Sequence, residues 1–253
     1  MNNQETIDTF SRLKLSGMAE AYKAMTLMPV GQRPGMELTA AKLAEAEVLA
    51  RDRHRTEMFL RTSKLRYDAY LEDIICTPER NLTKETMAEI GDCSFIPRHH
   101  NLLITGLTGC GKSFLACALG RQACQLGFKT EYFNMNKFME RVAVSKMDST
   151  FLKLLNHISK NDLIIFDDFG LQPLDDNSRL ALLQIIDDQY GRRPVIVISQ
   201  LPLDKWYDYI GNPTIADAIM DRLTSDYTHI ELKGESMRRR TRQSKYSPQT
   251  QNQ

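Results

Sequence analysis

One eight-residue loop limits the folds open to this chain more than any other feature of its sequence. The loop is Gly106-Leu107-Thr108-Gly109-Cys110-Gly111-Lys112-Ser113, and it directly follows the short apolar segment 102–105. This is a complete strand, glycine-rich loop and helix pattern, in which backbone N–H groups and a helix start surround phosphate groups. The pattern predicts that Lys112 reaches the β and γ phosphates of a nucleotide and that Ser113 gives a hydroxyl to Mg²⁺.

A later apolar segment delivers two carboxylates. Residues 163–166 are Leu-Ile-Ile-Phe, and Asp167 and Asp168 follow at once. In a parallel sheet the carboxyl ends of strands share one edge, so these acids are expected beside the phosphate loop. We predict that Asp167 holds Mg²⁺ through water and that Asp168 orients the attacking water or accepts its proton.

Further polar residues are candidates for contact with the γ phosphate. Segment 195–199 predicts a neighbouring strand that ends in Ser199-Gln200. Either side chain would sense the phosphate or hold the lytic water, and Gln200 is favoured for its reach and its amide. Arg222, near the end of a predicted helix, and Arg238 each carry a guanidinium suited to the charge that develops during phosphoryl transfer. A single arginine of this kind is also typical of a surface ion pair.

The hydrophobic pattern divides the chain into a helical start and an α/β remainder. Helical spacing or composition occurs at 7–28, 39–70 and 84–90, with Thr39 as a candidate cap, and predicts a helical N-terminal module over residues 1–90. Beyond it, helical patterns, one of them at 213–223, alternate with short apolar segments: 102–105, 130–133, 163–166, 195–199 and 229–232. This alternation predicts a parallel sheet between helices in an ATP-binding domain over residues 91–243, followed by a polar, frayed tail at 244–253.

Composition is that of a globular protein. The chain has 253 residues, of which 42% are hydrophobic and 26% charged, with a net charge of +1. These values argue against disordered and fibrous classes. Because no apolar run reaches the roughly 18 residues of a membrane helix and the start is polar, we expect a cytoplasmic protein without membrane contact. The five cysteines lack metal-binding spacing, so they are expected to be reduced thiols, with two on one helix face.

The chain resembles the IstB-type ATPases, which are transposition helpers close to the DnaC-type helicase loaders of the AAA+ class. The resemblance covers most of the chain, and it includes Leu-Ser-Gly-Met-Ala-Glu at 15–20 in the helical start. Its motifs are the phosphate loop, Asp167-Asp168, Ser199-Gln200 followed by Trp206, Asp221-Arg222-Leu223, and Gly-Glu-Ser-Met-Arg at 234–238.

The resemblance implies an AAA+ core and a specific set of site residues. ATP would bind to residues 106–113, and Mg²⁺ and water chemistry would occur at the acidic pair. The implied roles are a first sensor at Gln200 or Ser199, an arginine finger at Arg222 given to the neighbouring subunit, and a second sensor at Arg238. Two positions depart from the usual AAA+ pattern: Asp168 stands where Glu is common, which predicts slow or partner-dependent hydrolysis, and Gln200 stands where Asn or Asp is common.

The activity that the resemblance implies is ATP-dependent assembly on double-stranded DNA, which presents target sites to the transposase of the same insertion sequence. A nucleotide held between subunits would stabilise a head-to-tail contact, and such contacts give rings or helical filaments.

Two basic stretches are candidates for contact with the DNA backbone. Residues 51–66 carry six Lys or Arg against two acids, an excess of four, and residues 233–245 carry six against one, an excess of five. Such charge predicts salt-dependent binding with little sequence preference, although each run is also typical of a solvated surface. These stretches contain or adjoin few aromatic residues, namely Phe59, Tyr67 and Tyr246, which favours duplex over single-stranded DNA.

Other functions remain open from the residues alone. A helicase loader would use the same ATP-binding domain on single-stranded DNA. A small-molecule kinase would also use the phosphate loop, but it would need an arginine-rich lid that we do not find. A GTPase is disfavoured because Asn136-Lys137-Phe138-Met139 lacks the aspartate that recognises guanine. A nucleotide-gated adaptor with negligible turnover is compatible with Asp168.

Overall fold

The computed structural model describes residues 2–234 and Met237, and it divides the chain into two compact units, Met1–Met58 and Phe59–Gln253. The helices in the described part are α1 (Asn3–Arg12), α2 (Ser16–Thr26), α3 (Met36–Ser63), α4 (Lys84–Gly91), α5 (Lys112–Gln125), α6 (Met135–Met147), α7 (Phe151–Ile158), α8 (Asp176–Gln189), α9 (Trp206–Ile210) and α10 (Pro213–Thr224). The strands are β1 (Asn101–Gly106), β2 (Thr130–Asn134), β3 (Leu163–Phe169), β4 (Val195–Ser199) and β5 (Tyr227–Leu232).

The N-terminal unit contains α1, α2 and most of α3. The sequence predicted one helix over 7–28, and this prediction was wrong, because Lys14 takes a left-handed conformation (φ 59°) that ends α1 before α2 begins. Asn2 and Glu5 form a reciprocal capping box at the start of α1. The start of α2 lies against α3 at Gly17, where a Cβ would lie 2.3 Å from the Ala46 carbonyl oxygen. Only glycine allows that approach.

Helix α3 is an uninterrupted helix of 28 residues without Gly or Pro. It begins at Met36 and ends at Ser63, whereas the sequence predicted 39–70 with a cap at Thr39. Thr39 instead lies in the first turn, where its hydroxyl donates to the Pro34 carbonyl at 3.2 Å. The helix ends where Lys64 adopts a positive φ of 56°, which stops the helical hydrogen-bond pattern.

The second unit contains the parallel five-stranded sheet, with strand order β2-β3-β4-β1-β5. The five predicted strands are confirmed, each with its ends moved by at most a few residues. Strand β3 alternates its side chains between two cores, one containing Ile164 and Phe166 and the other Leu163 and Ile165. Because both faces are covered, the inner strands β1, β3 and β4 are apolar over most of their length, whereas the edge strand β5 carries exposed and polar residues.

Residues 59–90 belong to the same compact unit as the sheet, so the structure divides the chain at residue 58 rather than at the expected residue 90. The reason is burial. Ala69, Leu82 and Ile90 are all at most 4% exposed and lie in one core cluster with Leu102 and Ile104 of β1.

The cysteines match the expectation from their spacing. Cys117 and Cys124 both lie on α5 and are buried, and all five cysteines are free thiols. Within residues 2–234 and Met237, no helix combines the length and the apolar character needed to cross a membrane.

Candidate nucleotide site

The phosphate loop connects β1 to α5 in a conformation that only glycine adopts easily. Gly106, Gly109 and Gly111 have φ values of 143°, 87° and 97°. Gly106 also lies against the end of β5, where a Cβ would come within 2.2 Å of the Leu232 carbonyl oxygen. The loop therefore fixes the backbone N–H groups and the N-terminus of α5 around one point, which is the geometry for an anion.

Lys112 lies inside this loop. Its Nζ donates to the carbonyl oxygens of Gly106 at 2.7 Å and Leu107 at 3.0 Å. Burial lowers the pKa of the ammonium, while Cys110 and the acidic pair oppose that shift. The ammonium group of Lys112 has already lost much of its water in the folded protein. A phosphate that binds in the loop therefore meets a positive charge that needs little further desolvation.

Arg80, which sequence reasoning missed, holds the loop from outside. Its guanidinium donates to the carbonyls of Ile75 and Cys110, each at 2.6 Å, and the residue is only 9% exposed. The Arg80 carbonyl accepts from Lys233 N at 3.0 Å, just beyond β5. No local pattern announces this role, because the partners lie up to 153 residues away along the chain.

The acidic pair ends β3 at the predicted edge of the sheet. Asp167 is 1% exposed and accepts from the Tyr132 hydroxyl and, at 2.8 Å, from the Asp168 backbone N–H. Asp168 occupies a left-handed conformation (φ 61°) next to an irregularity in the β3–β4 pairing. The Asn134 amide, at the end of β2, donates to Asp168 Oδ2 at 2.6 Å.

The surroundings of Asp168 change the pKa of its carboxyl group. Burial raises the pKa of the Asp168 carboxyl, and the charge of Asp167 raises it further, while Arg66 and Asn134 act in the opposite direction. A raised pKa suits a carboxylate that takes a proton from water. Sequence reasoning also missed Tyr132 and Asn134, which fix the two carboxylates.

Arg66 also reaches the acidic pair. Its Nη1 lies 3.4 Å from Asp168 Oδ2 and 3.8 Å from Asp167 Oδ2. Arg66 belongs to the basic stretch 51–66, which the sequence predicted to contact DNA. In the structure it contacts Asp167 and Asp168 instead.

The two candidate sensors at the end of β4, Ser199 and the following Gln200, differ in what they contact. Gln200 lies at the cavity beside the phosphate loop and accepts from the Thr108 hydroxyl at 2.5 Å. Ser199 is fully buried; its hydroxyl donates to the Phe169 carbonyl at 2.6 Å and accepts from Leu201 N at 3.0 Å. Both hydrogen bonds of the Ser199 hydroxyl are made to backbone groups near the ends of β3 and β4. This favours Gln200 as the residue that contacts substrate.

Arg222 lies away from the phosphate loop of its own chain. Its Nε donates to Asp187 at 2.7 Å and its Nη1 to the Ala218 carbonyl at 2.8 Å. Its own carbonyl accepts from the side chain of Asn101, the first residue of β1, so it lies at the amino edge of the sheet. There it lines a second cavity of about 370 Å³. Arg238, the proposed second sensor, lies outside the described residues.

A cavity of about 540 Å³ opens beside the phosphate loop, large enough for a nucleotide. Its lining has a polar part and an apolar part. The polar part includes Arg66, Thr108, Gly109, Gly111, Lys112, Ser113, Asp168 and Gln200, and the apolar part includes Tyr67, Ile74, Ile75, Leu82 and Phe114. The cavity therefore offers polar groups suited to phosphates and apolar side chains against which a flat base can pack.

The residues present also fit a magnesium ion bound together with phosphate. Ser113, in the first turn of α5, lines the cavity, and Asp167 offers a carboxylate near the end of β3, two strands from β1. Mg²⁺ prefers such hard oxygen ligands and usually keeps waters and substrate phosphates in its shell. Within the described part of the chain, no cluster of three or more His, Cys, Asp or Glu forms a cation site of its own.

Comparison with known proteins decides the family. The model of the family described as IstB-like ATP binding protein matches residues 8–245. The chain belongs to this family. An insertion-sequence ATP-binding protein of Sinorhizobium fredii is 37% identical over 94% of this chain and 97% of that protein. The IS1162 ATP-binding protein of Pseudomonas fluorescens is 36% identical over 80% of this chain and 88% of its own length.

A solved structure agrees on the fold. The DnaC helicase loader superposes with a TM-score of 0.54 at 17% identity, covering 66% of this chain and 98% of the loader. The chain is therefore an ATP-binding protein of the IS21 insertion-sequence type with an AAA+ ATPase fold. This confirms the fold class and the resemblance drawn from the motifs.

Proposed function

We propose that this protein assembles head to tail on double-stranded DNA when ATP and Mg²⁺ are bound, and that the assembly presents target DNA to the transposase of its insertion sequence. The observation that carries the proposal is the position of Arg222. Five residue steps of β1, about 17 Å, separate Asn101 at the Arg222 end from Gly106 at the phosphate loop. That span is longer than an arginine side chain, so Arg222 is suited to a neighbour's nucleotide and not to its own.

The second cavity supports the same arrangement. Arg193 and Tyr190 line it with Arg222, so the opening at the amino edge of the sheet carries two guanidinium groups and a phenol. The proposed contact joins the Arg222 surface of one copy to the nucleotide site of the next copy. Because these two surfaces differ, the contact repeats as a ring or helical filament.

In each site, the chain's residues would divide the work of hydrolysis. Lys112 and the loop N–H groups would hold the β and γ phosphates, and Ser113 and Asp167 would hold Mg²⁺, which supplies charge neutralisation at the phosphates. Asp168 would orient the attacking water, and Gln200 would contact the γ phosphate. Because Asp168 is engaged by Asn134 and is shorter than Glu, we expect slow turnover that rises on assembly.

The described basic residues give partial support for DNA contact. In the stretch 51–66, Arg51 and Arg55 pair with Glu47 and Asp52, which leaves Arg53 and Arg61 without a carboxylate partner in the described part of the chain. The basic stretch at 233–245 lies almost wholly outside that part.

A further basic cluster surrounds Glu131 on the edge strand β2. Lys64 Nζ lies 3.0 Å, Arg141 Nη1 3.6 Å and His157 Nε2 2.9 Å from its carboxylate. Glu131 is only 2% exposed, whereas the three basic side chains are 40–58% exposed. The solvent therefore meets the basic side chains and not the acid. We expect Arg141→Gln to weaken duplex binding and to reduce its salt dependence by about one ion.

Nucleotide dependence is the first test. Lys112→Ala should abolish ATP binding and nucleotide-dependent assembly on DNA, measured by fluorescent-nucleotide titration and particle mass. Lys42→Ala, which removes an exposed lysine of α3, is the matched control and should behave as the parent protein. DNA assembly by the Lys112 variant that equals the parent's would contradict the proposal.

A mixing experiment tests the shared site. Arg222→Ala should bind ATP but lose turnover, and Asp168→Asn should bind ATP and persist on DNA as a stalled assembly. In mixtures, some interfaces combine an intact Asp168 with an intact Arg222 from the other variant, so hydrolysis should partly return. Arg192→Ala is the control and should behave as the parent protein; it removes an exposed arginine next to Arg193 in the sequence. No recovery at any ratio would assign Arg222 to its own subunit.

A helicase loader is the second candidate, because the DnaC fold is shared. Competition between duplex and single-stranded DNA of equal length separates the two. We expect duplex to stimulate ATPase activity more strongly and the cognate transposase to integrate more DNA in the presence of the protein. Both activities require ATP and chromosomal DNA, which agrees with the expected cytoplasmic location.

A further inference from the structure

Arg66 is a cation at the reacting end of the cavity that the proposed mechanism has not used. It follows the end of α3 by three residues and lines the same cavity as Lys112 and Thr108. Its guanidinium lies across the tip of Asp168, at 3.4 Å, and it is close to the ring of Tyr67, with 5.4 Å between the guanidinium carbon and the ring centroid. The side chain is 42% exposed, so it has room to move.

The position of Asp168 relates Arg66 to the terminal phosphate. A water that attacks the γ phosphate must hydrogen-bond to the Asp168 carboxylate while its oxygen contacts the phosphorus. A guanidinium that already touches Asp168 is therefore one water molecule away from the γ-phosphate oxygens. The α and β phosphates would lie farther from Asp168, along the loop.

Charge balance leads to the same position. Before nucleotide binds, Arg66 offsets two adjacent carboxylates, of which Asp167 is almost fully buried. Mg²⁺ bound with ATP would bring two positive charges to Asp167 and would weaken the hold of the pair on Arg66. The γ phosphate would then offer further negative charge beside Arg66, and guanidinium matches phosphate in a bidentate manner.

We propose that Arg66 contacts the γ phosphate of ATP bound to its own chain, and that this contact makes the site prefer ATP over ADP. The proposal rests on the proposed function only in requiring that ATP binds in this cavity. It removes Arg66 from the basic stretch expected to contact DNA, and it pairs a cis arginine with the trans Arg222.

The test is nucleotide affinity without DNA. Dissociation constants of a non-cleavable ATP analogue and of ADP are measured with Mg²⁺ by calorimetry for the parent protein, Arg66→Gln, Arg66→Lys and the control Arg192→Gln. We expect Arg66→Gln to weaken the ATP analogue about ten-fold, since the new phosphate contact replaces a half-exposed ion pair, and to change ADP affinity less than about two-fold. Arg66→Lys should recover part of the preference, and the control should match the parent.

The remaining outcomes each overturn the inference. Equal loss of ATP and ADP affinity in Arg66→Gln would assign Arg66 to the shape of the cavity, and no loss of either would confine it to the acidic pair. If Arg66→Gln does not fold, the Arg66→Lys variant decides, and an unchanged ATP preference there counts against the contact. A separate titration with duplex DNA covers the last outcome: lower duplex affinity of Arg66→Gln with an unchanged ATP preference would assign Arg66 to DNA contact. In all these cases, the proposed function still stands as long as the parent protein binds ATP.

Discussion

Replacing Arg80 with Ala tests how the phosphate loop is held. The change removes two charged hydrogen bonds of 2.6 Å and leaves the Cys110 carbonyl buried and the Ile75 carbonyl partly buried without that donor. A hydrogen bond from a charged group contributes about 1.5–3 kcal/mol, and the partly buried one contributes less, so we expect a loss of about 2–4 kcal/mol in the free energy of unfolding. For a unit of this size that corresponds to a fall in Tm of about 5–15 °C.

Thermal unfolding followed by circular dichroism measures this loss, and nucleotide titration measures its effect on the loop. Arg80→Lys should lose about half as much, because one ammonium cannot serve both carbonyls with the geometry of a guanidinium fork. Arg98→Ala is the control, since Arg98 also makes two hydrogen bonds, but to Ser94 on the exposed surface. A fall below about 2 °C together with unchanged ATP affinity would refute the reasoning about Arg80.

Three further changes test other parts of the structure. Asp168→Asn should stabilise the nucleotide-free protein by up to about 1 kcal/mol at pH 7, because it relieves charge repulsion with Asp167 and asparagine tolerates positive φ. This gain should vanish as pH falls through the raised pKa of Asp168. A lower Tm of the variant at pH 7 would contradict it. Glu47→Gln should lower the Tm at pH 7, because Arg51 and the N–H groups at the start of α2 hold the pKa of Glu47 below 4.5; the parent's advantage should disappear as pH falls below that value, and parallel pH profiles would speak against it. Gly106→Ala should abolish cooperative unfolding of the nucleotide-binding unit, because its Cβ would meet the Leu232 carbonyl at 2.2 Å; a normal transition would show that the loop can shift.

The strands and the phosphate loop were predictable because their information is local. The inner strands contain short apolar runs, since both faces of a parallel sheet are buried there, and the loop needs glycine at fixed places. The acidic pair was found for the same reason, as it ends such a run. Helix ends were less predictable. Lys14 and Lys64 end helices through positive φ values that no glycine or proline announces.

The residues that support the site were missed because their roles depend on long-range packing. Arg80 contacts a carbonyl 30 residues away, and the Tyr132 hydroxyl contacts Asp167 35 residues away. Arg66 had an apparent role in a basic stretch, and only the fold brings it to Asp168, 102 residues later. Likewise, the sequence favoured Gln200 over Ser199 only for its reach and its amide, and the contacts of the two side chains at the end of β4 depend on the fold.

The central claim is that ATP joins neighbouring copies of this protein on duplex DNA through Arg222. The most direct measurement is the mass of particles formed with long duplex DNA, Mg²⁺ and a non-cleavable ATP analogue, determined by sedimentation. We expect multi-copy complexes that require the analogue and are lost in Arg222→Ala, although that variant still binds the analogue. Single copies at saturating analogue, or assemblies of the same size in the Arg222 variant, would contradict the claim.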